Sequence, residues 1–217
     1  MSAVTMMPFR EAYARFSLKE RLGSVADSFD SWGAETPLVE FHPGDHVLNG
    51  SLRPYGPDRK TCGLVVGGSL EIRGSILDES SDDNTFFLLT GGDLVLEHLV
   101  VGGLCAAIGG DVLAHGDAVF WDGHAEFEVD GSIQAQRLVI LSGAPRVAGG
   151  VRGEVLNLGG WPDLPWPSSQ PSLRDLLTPD AAKVMLDNEG RLVSTYGHPD
   201  FDMAQAYFEG RHIFRGD

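Results

Sequence analysis

Along residues 125–130 the chain alternates strictly. Ala125, Phe127 and Val129 are apolar, while Glu126, Glu128 and Asp130 are acidic. Leu70 and Ile72 alternate in the same way with Glu71 and Arg73. A period of two sends successive side chains to opposite sides of a strand, so both stretches predict strands with one buried face. Other runs are apolar without interruption: FFLL, HLVVGG, AVFW and RLVILSG. These predict strands covered on both sides, or places where the chain corners.

The short strands recur. A glycine, a small polar residue and an aliphatic one appear together at Gly50-Ser51-Leu52, Gly68-Ser69-Leu70, Gly92-Asp93-Leu94, Gly110-Asp111-Val112 and Gly131-Ser132-Ile133, with a degenerate copy at Gly150. The steps are 18, 24, 18, 21 and 19 residues. The long step contains the polar run LDESSDDNT, residues 77–85, which fits a loop inserted into one turn. A period near 20 with localised inserts predicts a solenoid, and several short strands per turn make it a parallel β-helix. Glycine suits the corners, where φ is positive or a neighbouring backbone comes close. No sustained hexapeptide repeat is present, which favours a right-handed helix, here of about six coils.

The two ends have a different texture. In residues 1–36, Phe9, Tyr13, Phe16, Leu18, Leu22 and Val25 recur at helical spacing and predict a helical N-terminal cap. The β-helix is expected over 37–160. Residues 161–217 begin with WPDLPWPSSQP, four prolines in eleven residues, expected as an extended linker over the last coil. Ser172 and Pro179 then mark helix starts, and Phe201, Ala204, Tyr207 and Phe208 share one helical face, predicting a C-terminal α/β cap.

Charge changes the picture more than composition does. The 217 residues carry a formal charge of −15. Residues 61–160 hold fourteen Asp and Glu against four Arg, whereas residues 1–60 are nearly neutral. An acidic repeat repels nucleic-acid backbones and anionic membranes and attracts basic proteins. The two cysteines, Cys62 and Cys105, lie among apolar residues and are expected to be reduced and buried. The N-terminus lacks the basic-then-apolar order of a secretory signal, and no apolar run is long enough to cross a bilayer, so a cytoplasmic protein is expected.

At Gly68-Ser69-Leu70, Gly92-Asp93-Leu94, Gly110-Asp111-Val112 and Gly131-Ser132-Ile133 the sequence resembles bacterial β-helical proteins of the bactofilin type, which polymerise end to end. The resemblance covers the repeat alone and departs at the ends, where structured segments would block such stacking. The layout also resembles larger β-solenoids with C-terminal helical caps. Some of these stand beside polymorphic toxins as immunity proteins. That resemblance implies an inhibitor of a toxin.

Catalytic signals are weak. The glycines around residues 91–110 lack the lysine of a phosphate loop and do not open a helix. Residues 78–84 carry oxygen donors without the spacing of an EF-hand. His98 and His115 are about one coil apart, with His124 nearby, yet no further ligand is placed for a metal. Glu126 and Glu128 could form a glycosidase pair, though solvated strand positions are the favoured explanation of them. The expectation is therefore a non-catalytic binding module without cofactor or metal. Its candidate acidic surface is Asp78, Glu79, Asp82, Asp83, Glu126, Glu128 and Asp130, facing a basic protein such as a toxin domain. The alternatives are a bactofilin-like scaffold or a β-helix enzyme acting on glycans.

Overall fold

The structure is a computed structural model that describes residues 4–23, 26, 37–54, 61–78, 86–121, 126–159, 163–186, 206–207, 209–210 and 213–214. Strands stack turn upon turn into three walls. The first wall holds β2 (Leu38–His42), β4 (Thr61–Val66), β7 (Phe87–Thr90), β10 (Cys105–Ile108), β13 (Phe127–Val129) and β15 (Arg146–Val147). The second holds β3 (His46–Asn49), β5 (Leu70–Arg73), β8 (Leu94–Leu96), β11 (Val112–Ala114) and the leading halves of β14 (Ile133–Ile140) and β16 (Val151–Asn157). The third holds β6 (Ile76–Leu77), β9 (Leu99–Val101), β12 (Ala118–Phe120) and the trailing halves of β14 and β16. Neighbouring strands in each wall are parallel, giving a β-solenoid of about five turns from β2 to β15. β1 (Thr5–Pro8) pairs antiparallel with β2, and a single antiparallel bridge joins Leu177 to Phe214.

Inward side chains form columns. On the first wall Leu64, Leu88, Ala106 and Phe127 lie in register; on the second Leu70, Leu94, Val112 and Ile133; on the third Ile76, Leu99, Ala118 and Leu138. All belong to one buried cluster that fills the interior. A single turn cannot bury these residues, so burial couples each turn to the next.

The register corrects the alignment at its first unit. His46 pairs with Leu70 and Leu70 with Leu94, so the first two steps are both 24 residues, followed by 18, 21 and 18. Gly50-Ser51-Leu52 belongs to a different corner, beneath Gly74-Ser75-Ile76, because the same Gly-Ser-aliphatic pattern serves both. The extra residues fall between the third strand of one turn and the first of the next. Of the glycines at the corner between the first and second walls, only Gly150 of the last turn has positive φ, at 89°. Elsewhere the reason is close approach: a Cβ on Gly91 would collide with the carbonyl of Gly67, one turn below.

The chain ends lie along two of the walls. α1 (Phe9–Arg15) and α2 (Leu18–Leu22) cover the outer side of the first wall, where Phe9, Ala12, Leu18 and Leu22 pack on Val39, Phe41, Phe87, Leu89 and Cys105. Gly63 leaves room there, since a Cβ would enter the Phe87 ring. The segment from 163 to 172 folds across the last turn: Leu164 and Trp166 pack on the interior cluster, and Ser169 bridges to Leu156. α3 (Leu173–Leu176) and α4 (Pro179–Met185) follow, with Thr178 as N-cap and Pro179 in the first turn. Leu177, Ala181, Ala206, Ile213 and Phe214 cover the outer column of the third wall, Leu77, Val100, Val119, Val139 and Leu156. The continuously apolar runs are therefore strands buried on both sides; of the alternating ones, Leu70–Arg73 belongs to the second wall and Phe127–Val129 to the first. Val25, Phe201, Ala204 and Phe208 lie outside the described residues.

Candidate binding surface

The most regular polar feature is the corner between the first and second walls. Turn by turn it reads Pro43-Gly44-Asp45, Gly67-Gly68-Ser69, Gly91-Gly92-Asp93, Gly109-Gly110-Asp111, Asp130-Gly131-Ser132 and Ala148-Gly149-Gly150. Each polar side chain accepts the backbone N–H of its successor one turn on. Ser69 N–H donates to Asp45 Oδ1 at 2.8 Å, Asp93 N–H to Ser69 Oγ at 3.0 Å, Asp111 N–H to Asp93 Oδ1 at 2.8 Å and Ser132 N–H to Asp111 Oδ1 at 2.7 Å. Only Asp, Ser and similar short acceptors reach across one strand spacing this way.

Asp45, Asp93, Asp111 and Asp130 are all exposed, so the corner is a row of carboxylates beside the second wall. Hydrogen bonds from the Ser132 N–H and hydroxyl hold Asp111 below the usual carboxylate range, with a lesser contribution from Arg152 and slight opposition from burial. The adjoining wall is mixed in character. Glu71 and Arg73 pair at 3.0 Å, Glu97, His115, Gln134 and Gln136 are exposed, and Val95 and Leu113 are half-buried.

The corner between the second and third walls uses the same device differently. Ser75 N–H donates to Ser51 Oγ at 3.1 Å, His98 N–H to Ser75 Oγ at 3.2 Å and Asp117 N–H to His98 Nδ1 at 3.1 Å. Arg137 grips the buried Asp117 carboxylate with Nε at 2.8 Å and Nη2 at 3.0 Å, and the Tyr207 hydroxyl donates to it at 2.8 Å. Ser75, His98 and Asp117 are the residue types of a hydrolytic triad but are not arranged as one. The serine oxygen accepts a backbone N–H, and the imidazole nitrogen nearest Asp117 accepts its N–H rather than donating to its carboxylate. This corner anchors the C-terminal segment.

Of the residues expected to form an acidic surface, the four described ones, Asp78, Glu126, Glu128 and Asp130, differ in setting. Asp78 is fully buried, and this corrects its assignment to a solvated loop: its Oδ2 accepts from Gly102 N–H at 2.9 Å and Leu104 N–H at 2.7 Å, shaping the tight bend between β9 and β10. Glu79, Asp82 and Asp83 lie outside the described residues. Glu126 is half-buried beside Gly23, and Glu128 pairs with Arg146. Asp130 alone joins the exposed carboxylate row. Asp45, Asp93 and Asp111 complete that row. Their signal was the Gly-Gly-Asp corner itself, recurring at the turn spacing.

His98 and His115 do not stack: His115 stands over Glu97, and His98 lies against Gly116. His124 lies outside the described residues. Among the described residues no group of three or more His, Cys, Asp or Glu is arranged to hold a metal ion, and no helix is long and apolar enough to cross a membrane. Both cysteines are buried and free, and burial pushes the Cys62 thiol up to about 12. No protein-family model, curated protein or solved structure matches the chain.

Proposed function

We propose that the protein is a non-catalytic binding module that captures a basic protein, acting as an immunity protein that occludes a toxin in the cytoplasm. The observation that carries this reading is the exposed row of Asp45, Asp93, Asp111 and Asp130 bordering the second wall, in which Asp45, Asp93 and Asp111 are each fixed by a backbone N–H of the next turn. A rigid single-sign row speeds docking of an oppositely charged surface and loses little side-chain entropy on binding. In this reading the solenoid is right-handed, of about six coils, and its terminal segments keep it a discrete unit rather than a polymer. Those segments spend the outer faces of the first and third walls on the chain's own ends, and the second wall is left for a partner.

The test is affinity capture of the tagged protein from its native cells, followed by co-expression of whatever is recovered. The expected result is one basic partner whose toxicity the protein suppresses. Capture that yields no basic partner, or co-expression without protection, contradicts the proposal. High-order filaments in electron micrographs would favour the bactofilin-like scaffold instead, and turnover of a glycan would favour an enzyme.

A further inference from the structure

The first turn departs from the apolar rule of the interior. On the first wall Glu40 stands in register with Leu64, and His42 with Val66; on the second, His46 stands in register with Leu70. Each partner in the next turn belongs to the interior cluster. Three inward positions at the leading end of the core therefore carry titratable groups. The two imidazoles stack with centroids 3.6 Å apart at 24°, and His42 Nε2 meets Glu40 Oε1 at 2.8 Å. His42 is buried and His46 half-buried.

We propose that Glu40, His42 and His46 form a proton-sensitive clasp, and that mild acidification loosens the first turn and frees the N-terminal segment from the first wall. One added proton on the pair is tolerated because Glu40 faces His42. A second places like charges on rings in van der Waals contact, at the mouth of an apolar core. Among the described residues the other groups around the pair leave the second proton uncompensated: β4 and β5 present Leu64, Val66 and Leu70, and the Asp45 carboxylate at the intervening bend is exposed and engaged with Ser69 N–H. Burial, and then the neighbouring His42, hold His46 below its ordinary value of 6.5, while Glu40 acts the other way. A histidine held low in the folded chain contributes stability that is complete above its unfolded value and drains away as pH falls below it.

The first turn is also the anchor of the N-terminal segment. β1 pairs with β2 from Thr5↔Phe41 to Pro8↔Leu38, Phe9 N–H donates to Pro37 O at 2.8 Å, and Phe16 packs on Phe41 at 4.8 Å. Loosening β2 and β3 releases that anchor and uncovers Cys62 and Cys105, which lie in the layer beneath. Acid would thus turn a closed wall into an exposed apolar one.

The test follows thiol labelling by 4,4′-dithiodipyridine, which reacts in acid, with each rate divided by that of the unfolded chain at the same pH. Between pH 7 and about 5.2, protection in the native protein should fall by about tenfold while far-UV circular dichroism stays constant. His46→Leu, which copies Leu70 of the next turn, should keep its protection over the same range. Equal falls in both proteins, no fall in the native one, or labelling that tracks loss of circular dichroism would overturn the proposal. Histidine NMR on the unmodified protein gives a second check independent of any variant. One imidazole of the pair should stay neutral after the other has titrated; both titrating together at ordinary values would equally overturn it.

Discussion

Asp111 shows how little a residue's charge says about its task. It is exposed and acidic, and yet it serves first as a backbone acceptor, taking the Ser132 N–H at 2.7 Å and the Ser132 hydroxyl at 2.9 Å. Ser69 performs the same task at the same corner two turns earlier. Asp111→Ser should therefore melt close to the native protein, and Asp111→Ala measurably below it, as read by differential scanning calorimetry. Because the folded carboxylate titrates below its ordinary value, the contribution of its bonds is present above about pH 4 and is lost as acid protonates it. Gly63 makes the complementary point in the apolar layer. Gly63→Ala drives a methyl into the Phe87 ring and should cost about 1–3 kcal/mol in chemical denaturation, with part of that recovered when Phe87→Leu is added. The corner positions were legible in the sequence because a glycine before Ser or Asp recurs at steps of 18 to 24 residues. Asp78 was not: it sits in a run of acids, and only the bend that supplies two N–H donors distinguishes it.

Elements were legible where burial imposed a period. The alternating Leu70–Arg73 strand lies on the second wall with one side in solvent, and Phe87–Thr90 lies on the first wall, buried on both sides. The N-terminal helices were legible from their apolar spacing. Their destination was not, because an amphipathic helix records that it covers something and not whether that is an end or a side. β1 carried no signal: its four residues, Thr5-Met6-Met7-Pro8, pair with β2 only once β2 exists. The first register step was misjudged because two corners share one motif. At this scale the C-terminal segment makes a clear prediction. Asp117 binds Arg137 and Tyr207 while buried, so Asp117→Ala should cost about 3–5 kcal/mol by breaking this buried ion pair. Tyr207→Phe removes one bond to a charged group and should cost about 1.5–3 kcal/mol. In that variant, limited proteolysis should cut the C-terminal segment before the solenoid, since Phe214 and Ile213 would still pack but without the polar anchor.

At the scale of the molecule, a chain of net charge −15 has arranged its described exposed corner so that one sign prevails along a line, while the outer columns of its covered walls are apolar. The account holds that this line is where a basic partner docks. The most direct test is the association rate of the captured partner, measured against salt for the native protein and for Asp93→Asn with Asp111→Asn. Asparagine keeps an oxygen that accepts the cross-turn N–H and removes only the charge. The native rate should fall by about tenfold or more from about 50 to 500 mM salt, and the double variant should start slow and vary little. Identical rates and identical salt dependence in the two proteins would contradict the account.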